Sequence, residues 1–165
     1  MMSLSSDLYP YVVYHLKLML DDKGLEELET NLTKYFSEQE ILDLDSELVS
    51  IDIGKFDSYI LGKIKYVKRL EEMLIKCDVE YIINDMMPQL WDMEDVSFIT
   101  QYGNDDPNPD LTLEFFPDHK STHQQINEIL RQICDKRYTQ DDVLDKINEK
   151  GINSLNELNK YILNK

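Results

Sequence analysis

Long apolar runs are missing from this 165-residue chain. It contains no run of about 18 apolar residues, the length that a membrane-spanning helix requires. The amino-terminal stretch also lacks the basic region and the small-residue cleavage site of a signal peptide. We therefore expect no transmembrane helix, no membrane partner and a cytoplasmic location.

Cysteine is nearly absent, since the chain contains only Cys77 and Cys134. Both residues fall at apolar positions of predicted helices, which favours buried, reduced thiols. A disulfide or a reactive cysteine pair is the alternative interpretation. Two isolated cysteines in a chain without a secretion signal are typical of a reducing compartment, which again indicates the cytoplasm.

Glycine is also scarce, and the five glycines are scattered along the chain instead of forming a phosphate-binding loop. The chain has no GxSxG motif and no cysteine–histidine nucleophile signature. These absences predict a protein that is not an enzyme and that binds no cofactor. Gly62 is the unusual glycine, because it interrupts a predicted long helix. It predicts that another backbone segment approaches closely.

Metal-ligand spacing occurs once, at His119 and His123, which are four residues apart at the start of a predicted helix. This spacing can place two imidazoles on one helical face, as zinc sites require. A zincin would also need glutamate after the first histidine, where Lys120 stands. We therefore expect exposed histidines and no metal site, and a metal-dependent enzyme centred on these two histidines is an alternative.

Positive charge is absent from residues 78–118, a base-free stretch with eleven acidic residues and no lysine or arginine. This stretch supplies the largest share of the formal net charge of −16. Charge of one sign, concentrated in a small domain, produces a directional field that attracts positively charged partners. Direct nucleic-acid binding is disfavoured, because phosphate contacts would work against this field.

Within the base-free stretch, acidic residues alternate with aromatic residues and methionines. Aromatic and methionine side chains supply contact area at protein interfaces, and carboxylates supply steering and register. The predicted partner-binding residues are Asp92, Glu94, Asp95, Asp105, Asp106, Asp110, Trp91 and Tyr102. The alternative interpretation is a solvated acidic surface that only keeps the protein in solution.

The apolar pattern predicts a single domain over residues 1–165, with a possible helical hairpin at 139–165. Helices are predicted over 7–20, 25–36, 55–77 and 121–135, and after capping sequences at 37–40, 139–142 and 154–157. Residues 96–116 alternate on a two-residue period around a turn-rich loop, which predicts one small antiparallel β element. Residues 48–53 and 79–87 are ambiguous. The predicted class is α+β and mainly helical; an all-α fold with a surface hairpin is the alternative.

A short resemblance is carried by Leu144, Asp145, Lys146, Ile147, Lys150, Gly151, Ser154, Leu155, Glu157 and Leu163. These residues lie in 140–163, which resembles a helix–glycine–helix tail of Bacteroidetes proteins, including the cytoplasmic ends of rhomboid-type proteins. The resemblance covers 24 of the 165 residues. It implies a bacterial cytoplasmic origin and no activity.

The composition and the acidic stretch together predict a small acidic protein that occupies a basic surface of another protein. Immunity proteins against nuclease toxins and inhibitors that imitate nucleic acid act in this way. Such binding would be tight at low salt and would weaken steeply as salt is added. A structural or regulatory domain without strong electrostatics is the alternative, beside the metal-dependent enzyme.

Overall fold

The structure, a computed structural model, describes residues 10–102 and 122–165. It divides the chain into two compact units, Met1–Met86 and Met87–Lys165. Among the described residues there are eight α-helices and one four-stranded antiparallel sheet, so the predicted α+β, mainly helical class is confirmed. The organisation of residues 1–165 as a single domain stays a prediction.

The first unit contains the sheet. Its strands are β1 (Tyr11–Leu18), β2 (Val49–Asp52), β3 (Asp57–Lys63) and β4 (Tyr81–Asp85). They lie side by side in the order β2-β3-β1-β4. Strand β1 pairs antiparallel with β3 and with β4, and β2 pairs antiparallel with β3.

Three helices connect these strands. Helices α1 (Asp22–Tyr35) and α2 (Glu38–Glu47) lie between β1 and β2 along the chain, and α3 (Ile64–Lys76) lies between β3 and β4. Read from the other edge, the strand order is 4-1-3-2, which with this connectivity is the ferredoxin-like, split β-α-β topology with one additional helix. Many unrelated functions share this topology, so it identifies none of them.

The helices pack their apolar residues against the sheet. The core cluster combines residues of β1, α1, β3 and α3 with the residue that follows α3: Val12, Leu16, Leu28, Ile60, Val67, Leu74 and Cys77. Residues of β1 separated by two or four positions lie on the same face of the strand, which brings Val12 and Leu16 to the same side. Among the described residues, no helix is long and apolar enough to cross a membrane.

The helix predicted over residues 7–20 is wrong in its described part, because Tyr11–Leu18 is strand β1. Its first four residues are aromatic or β-branched, types that suit a pleated strand, and the segment pairs with a neighbour on each side. The helix predicted over 55–77 begins only at Ile64, after strand β3. The two ambiguous segments contain β2 and β4.

Gly62 lies in β3 and is paired with Val12 of β1. A Cβ atom added at Gly62 would lie 2.6 Å from Leu48 Cδ2 and 3.0 Å from the backbone oxygen of Glu47. The close approach of another backbone segment, predicted from the sequence, is therefore confirmed, although the glycine lies in a strand and not in a helix.

Replacing Gly62 with alanine is therefore expected to lower the free energy of unfolding by about 1–3 kcal/mol, because an added methyl group in a packed site forces its neighbours to move. In the control Gly54→Ala, the new Cβ would lie 3.3 Å from Asp57 Oδ2, at the end of a movable side chain. We expect that control to change stability by less than about 0.5 kcal/mol. Urea denaturation measures both effects, and equal losses would contradict the account of Gly62.

The second unit consists of helices in its described part. They are α4 (Met87–Asp92), α5 (Ser97–Thr100), α6 (Thr122–Arg137), α7 (Gln140–Lys150) and α8 (Glu157–Leu163), with a 3-10 turn at Ile152–Ser154. The capping sequence predicted at 139–142 is confirmed, because Thr139 and Asp142 bond each other's backbone N–H groups. The cap predicted at Ser154 is wrong: α8 begins after Asn156, whose side chain accepts from the N–H groups of Leu158 and Asn159.

The first strand of the β element predicted over 96–116 is also wrong, because Ser97–Thr100 is helix α5. Val96, Ile99 and Thr100 are buried, and their spacing of three and four residues is helical. The backbone N–H of Ser97 also donates to Asp95 Oδ1 at 2.8 Å, which supports the start of the turn. Residues 103–116 lie outside the described residues.

Both cysteines are buried and free, which confirms the prediction of reduced, buried thiols. Burial raises the pKa of the Cys134 thiol to about 12 and also raises the pKa of the Cys77 thiol. Because the thiolate is the reactive form, we expect neither cysteine to react with a thiol reagent at pH 8 while the protein is folded. Both should react after unfolding in urea. Rapid labelling of the folded protein would contradict this burial.

Candidate functional site

Five of the eight predicted partner-binding residues lie in the described part of the chain, whereas Asp105, Asp106 and Asp110 lie outside it. Of these five, the carboxylates at positions 92, 94 and 95 are exposed. Three apolar side chains between or just after them are also exposed: Met93 by 38%, Phe98 by 42% and Tyr102 by 39%. We call this set the acidic–aromatic surface: Asp92, Met93, Glu94, Asp95, Phe98 and Tyr102.

The local sequence explains why these side chains face outward. Helix α4 buries Met87, Leu90 and Trp91, and its last residue, Asp92, is exposed. After the turn that follows, Val96 and the inner residues of α5 are buried again. The polar residues between the two helices are therefore left on the outside, where charged side chains keep their hydration.

Asp95 combines an exposed carboxylate with a structural role at the start of α5. Hydrogen bonds from the side chain and then from the backbone of Ser97 lower the pKa of the Asp95 carboxyl. A carboxyl group with a lowered pKa is fully ionised at neutral pH, because its ordinary pKa is already about 4. The negative charge at this point of the acidic–aromatic surface is thus fixed in both position and ionisation.

A buried lysine lies beneath the end of α4. Lys146 of α7 is only 4% exposed. Its Nζ donates hydrogen bonds to the backbone oxygen of Trp91 at 2.7 Å and to Asn159 Oδ1 at 2.8 Å. Carbonyl groups at the end of a helix have no partner within that helix, and a cation is favourable beside them. Lys146 therefore holds the end of α4 from the inside.

Two buried asparagines complete this contact. Asn156 Nδ2 donates to the backbone oxygens of Leu90 at 2.8 Å and Met93 at 2.7 Å. Asn159 Nδ2 donates to the backbone oxygen of Trp91 at 3.1 Å. We call the three side chains of Lys146, Asn156 and Asn159 the buried polar network. It fixes the backbone that leads from α4 into the acidic–aromatic surface.

The buried polar network also interacts with the surface electrostatically. Burial lowers the pKa of the Lys146 ammonium group, and the negative charges of Asp92 and Glu94 oppose that lowering. The two exposed carboxylates thus favour the charged lysine beneath them. Among the described residues, every buried side-chain nitrogen and oxygen has a hydrogen-bond partner, so the network contains no unsatisfied polar atom.

The far end of the same segment is also held by an asparagine. Asn127 of α6 donates from Nδ2 to the backbone oxygen of Thr100 at 2.7 Å, at the end of α5. The Thr100 hydroxyl donates to the backbone oxygen of Val96 at 3.2 Å. The segment that carries the acidic–aromatic surface is therefore anchored both before and after its exposed residues, which reduces its freedom before any partner arrives.

Trp91 differs from the other predicted site residues because it lies in the core. It is 6% exposed, and its ring stacks on that of Tyr138 with centroids 3.9 Å apart and planes 4° apart. A buried ring offers a partner little contact area. The exposed aromatic residues of this segment are Phe98 and Tyr102 instead.

The buried polar network is the part of the site that the sequence does not predict. Lys146, Asn156 and Asn159 are polar residues, and polar residues are usually exposed. One signal was present for Lys146: with Val143 it forms the buried side of α7, three residues apart. Its partner Trp91 is 55 residues away in the chain, which no local pattern connects.

The alternative metal site cannot be assembled from the described residues. His123 lies in the first turn of α6, where Asn127 Nδ2 donates to its backbone oxygen at 2.9 Å. His119 lies outside the described residues. Within residues 10–102 and 122–165, no group of three or more His, Cys, Asp or Glu side chains could hold a metal ion.

Comparison of the chain with protein-family models, with curated proteins and with solved structures found no match. A split β-α-β topology is compatible with many functions. A functional proposal therefore rests on the chemistry of the chain's own surface.

Proposed function

We propose that this protein is a non-enzymatic binding protein that docks its acidic–aromatic surface on a basic face of a partner protein in the bacterial cytoplasm. The observation that carries the proposal is the alternation of exposed carboxylates with exposed Met93, Phe98 and Tyr102 on one anchored segment. Asp105, Asp106 and Asp110, which follow in the same base-free stretch, extend this surface in the proposal.

Each component of the surface has a physical role in such docking. The carboxylates raise the association rate of a positively charged partner and fix its orientation. The aromatic and methionine side chains supply apolar contact area, which residues of these types commonly provide at interfaces. The buried polar network holds the backbone in place beforehand, so that less conformational entropy is lost on binding.

The partner in this proposal uses its basic face for another anionic ligand. A nucleic-acid-binding protein presents lysine and arginine side chains to phosphates. Carboxylates that occupy those side chains would exclude the phosphates, which is how an immunity protein or a nucleic-acid-mimicking inhibitor blocks its target. The proposed action is therefore competitive, without any chemical reaction.

Affinity capture tests the proposal. The full chain, immobilised through its amino terminus, is exposed to an extract of the source organism at low ionic strength, and bound proteins are eluted with a salt gradient. We expect one or a few strongly basic proteins, which a nucleic-acid oligonucleotide also displaces. Capture that is unchanged between low and high salt, or capture of acidic proteins only, would contradict electrostatic docking.

A further inference from the structure

The edge of the sheet formed by β4 has its own pattern of backbone hydrogen bonds. Strand β4 lies outermost in the order β2-β3-β1-β4 and pairs with β1 on one side only. The backbone N–H of Met19 donates to the oxygen of Glu80 at 2.8 Å, and that of Met86 donates to the oxygen of Val13 at 2.9 Å. These two bonds mark which residues of β4 face β1.

The remaining residues follow from the antiparallel ladder, in which successive residues of a strand alternate between facing their partner and facing away. Glu80 and Met86 face β1, so Ile82 and Asn84, in the same phase, do as well. The backbone N–H and C=O groups of Tyr81 and Ile83 then point away from the sheet. No described residue supplies a backbone partner for these outward groups.

The side chains and charges of this edge determine what can pair with it. The edge strand contains no proline, lysine or arginine, and Ile82 is 47% exposed. Asp78 and Glu80 precede the strand, and the strand ends at Asp85. Natural proteins protect exposed edges with charge, because an unprotected edge pairs with any available strand. Here the protecting charge is entirely negative.

A negative edge discriminates between occupants. A second copy of this chain would bring an equally acidic β4 and a net charge of −16 against the first, so like charges oppose self-pairing. An extended segment with lysine or arginine at alternate positions would meet opposite charges instead. Strand addition of this kind takes its affinity from main-chain hydrogen bonds and its specificity from alternate side chains.

We propose that the outer edge of β4 is a second docking site, which accepts an extended basic segment of another protein by β-strand addition. This inference goes beyond the proposed function and does not depend on it, because it uses residues of the first unit alone. The occupant forms backbone hydrogen bonds with Tyr81 and Ile83, and its basic side chains lie near Asp78, Glu80 and Asp85.

Amide hydrogen exchange on the full wild-type chain tests the inference. The probe is a short acetylated peptide in which lysine and valine alternate, and its control contains glutamate in place of lysine. We expect the lysine peptide to slow exchange of the Tyr81 and Ile83 amides at least about tenfold, as burial of an amide in a stable hydrogen bond does. The glutamate peptide should leave both unchanged. No slowing with the lysine peptide, or equal slowing with both peptides, would overturn the proposal.

Two variants separate the backbone bond from the packing of the side chain. Ile83→Pro removes the outward N–H, which an edge strand tolerates, whereas Ile83→Ala removes the same core packing and keeps the N–H. We expect Ile83→Ala to bind the lysine peptide and Ile83→Pro to lose at least about tenfold in affinity, the equivalent of one hydrogen bond. Equal affinity of the two folded variants would overturn strand addition.

A second copy of the chain and the acidic–aromatic surface are the two competing ways to protect this edge, and each has its own signature. Slowed exchange at the Tyr81 and Ile83 amides that depends on protein concentration, without peptide, would identify a second copy as the occupant and overturn the basic-segment proposal. The variant Asp92→Asn/Glu94→Gln/Asp95→Asn should bind the lysine peptide at the β4 edge as wild type does. If that variant loses the protection at Tyr81 and Ile83, the edge is not an independent site.

Discussion

Replacing Asn156 with alanine is expected to lower the free energy of unfolding by about 2–4 kcal/mol. The change leaves the buried backbone oxygens of Leu90 and Met93 without their side-chain donor, and each unsatisfied buried group costs about 1–3 kcal/mol. It also removes the side-chain oxygen that caps α8, which contributes about 1 kcal/mol. Urea denaturation, with the midpoint and slope fitted together, measures the loss.

Two further variants identify the cause of that loss. Asn156→Asp keeps a capping oxygen, since aspartate caps helices as well as asparagine does, but it has no group that donates to the two carbonyls. We expect it to remain destabilised by at least about 1 kcal/mol. Asn148→Ala, at an exposed position of α7, should change stability by less than about 0.5 kcal/mol. A wild-type stability for Asn156→Asp would show that only the cap matters.

The same substitution should loosen the acidic–aromatic surface. When Asn156 no longer holds the carbonyls of Leu90 and Met93, local opening of this segment costs less free energy. We expect the amides of Met93 to Asp95 to exchange faster in Asn156→Ala than in wild type, by more than the global loss of stability explains. Uniformly faster exchange across the second unit would contradict a local anchoring role.

Neutralising the three exposed carboxylates of the surface is expected to weaken binding of the captured partner about 100-fold. The variant Asp92→Asn/Glu94→Gln/Asp95→Asn removes three interfacial charges, each of which contributes about 1 kcal/mol in a complex of opposite charges. Each 1.4 kcal/mol corresponds to a factor of ten in the dissociation constant. Titration calorimetry measures the affinity, and the salt dependence should become shallower because fewer charges act across the interface.

A matched variant controls for overall charge. Glu26→Gln/Glu29→Gln/Asp45→Asn changes the net charge by the same three units at exposed positions of α1 and α2. We expect this variant to bind the partner within about threefold of wild type, since distant exposed charges are largely screened at physiological salt. Equal losses in the two triple variants would mean that net charge, and not the acidic–aromatic surface, determines binding.

Local signals in the sequence predict the helices that carry their own caps. Ser37 accepts from the backbone N–H of Glu40 at the start of α2, and Thr139 and Asp142 form the cap of α7, as their sequences indicate. The positive φ of 88° at Gly151, where α7 ends, agrees with the predicted helix stop. These features depend on residues within four positions of each other, so a single sequence contains the information.

Strand β1 could not be predicted in the same way, because its apolar residues also fit a helical stripe. Distant partners in β3 and β4 decide its conformation, and even the nearest of them in the chain, Asp57 opposite Lys17, belongs to another element. Distance in sequence also hides the buried polar network, where Asn156 bonds the oxygen of Leu90 from 66 residues away. Exposed carboxylates are the predictable part of the site, since unpaired acidic side chains are almost never buried.

The contact surface itself is the central claim, and a hydrogen-exchange footprint of the captured partner on this chain tests it most directly. With saturating partner, we expect slowed exchange to concentrate in residues 92–102, where the exposed carboxylates, Phe98 and Tyr102 lie on an anchored backbone. The α1 and α2 amides should be unchanged, although these helices are also acidic. Protection confined to α1 and α2, with 92–102 unchanged, would contradict docking through the acidic–aromatic surface.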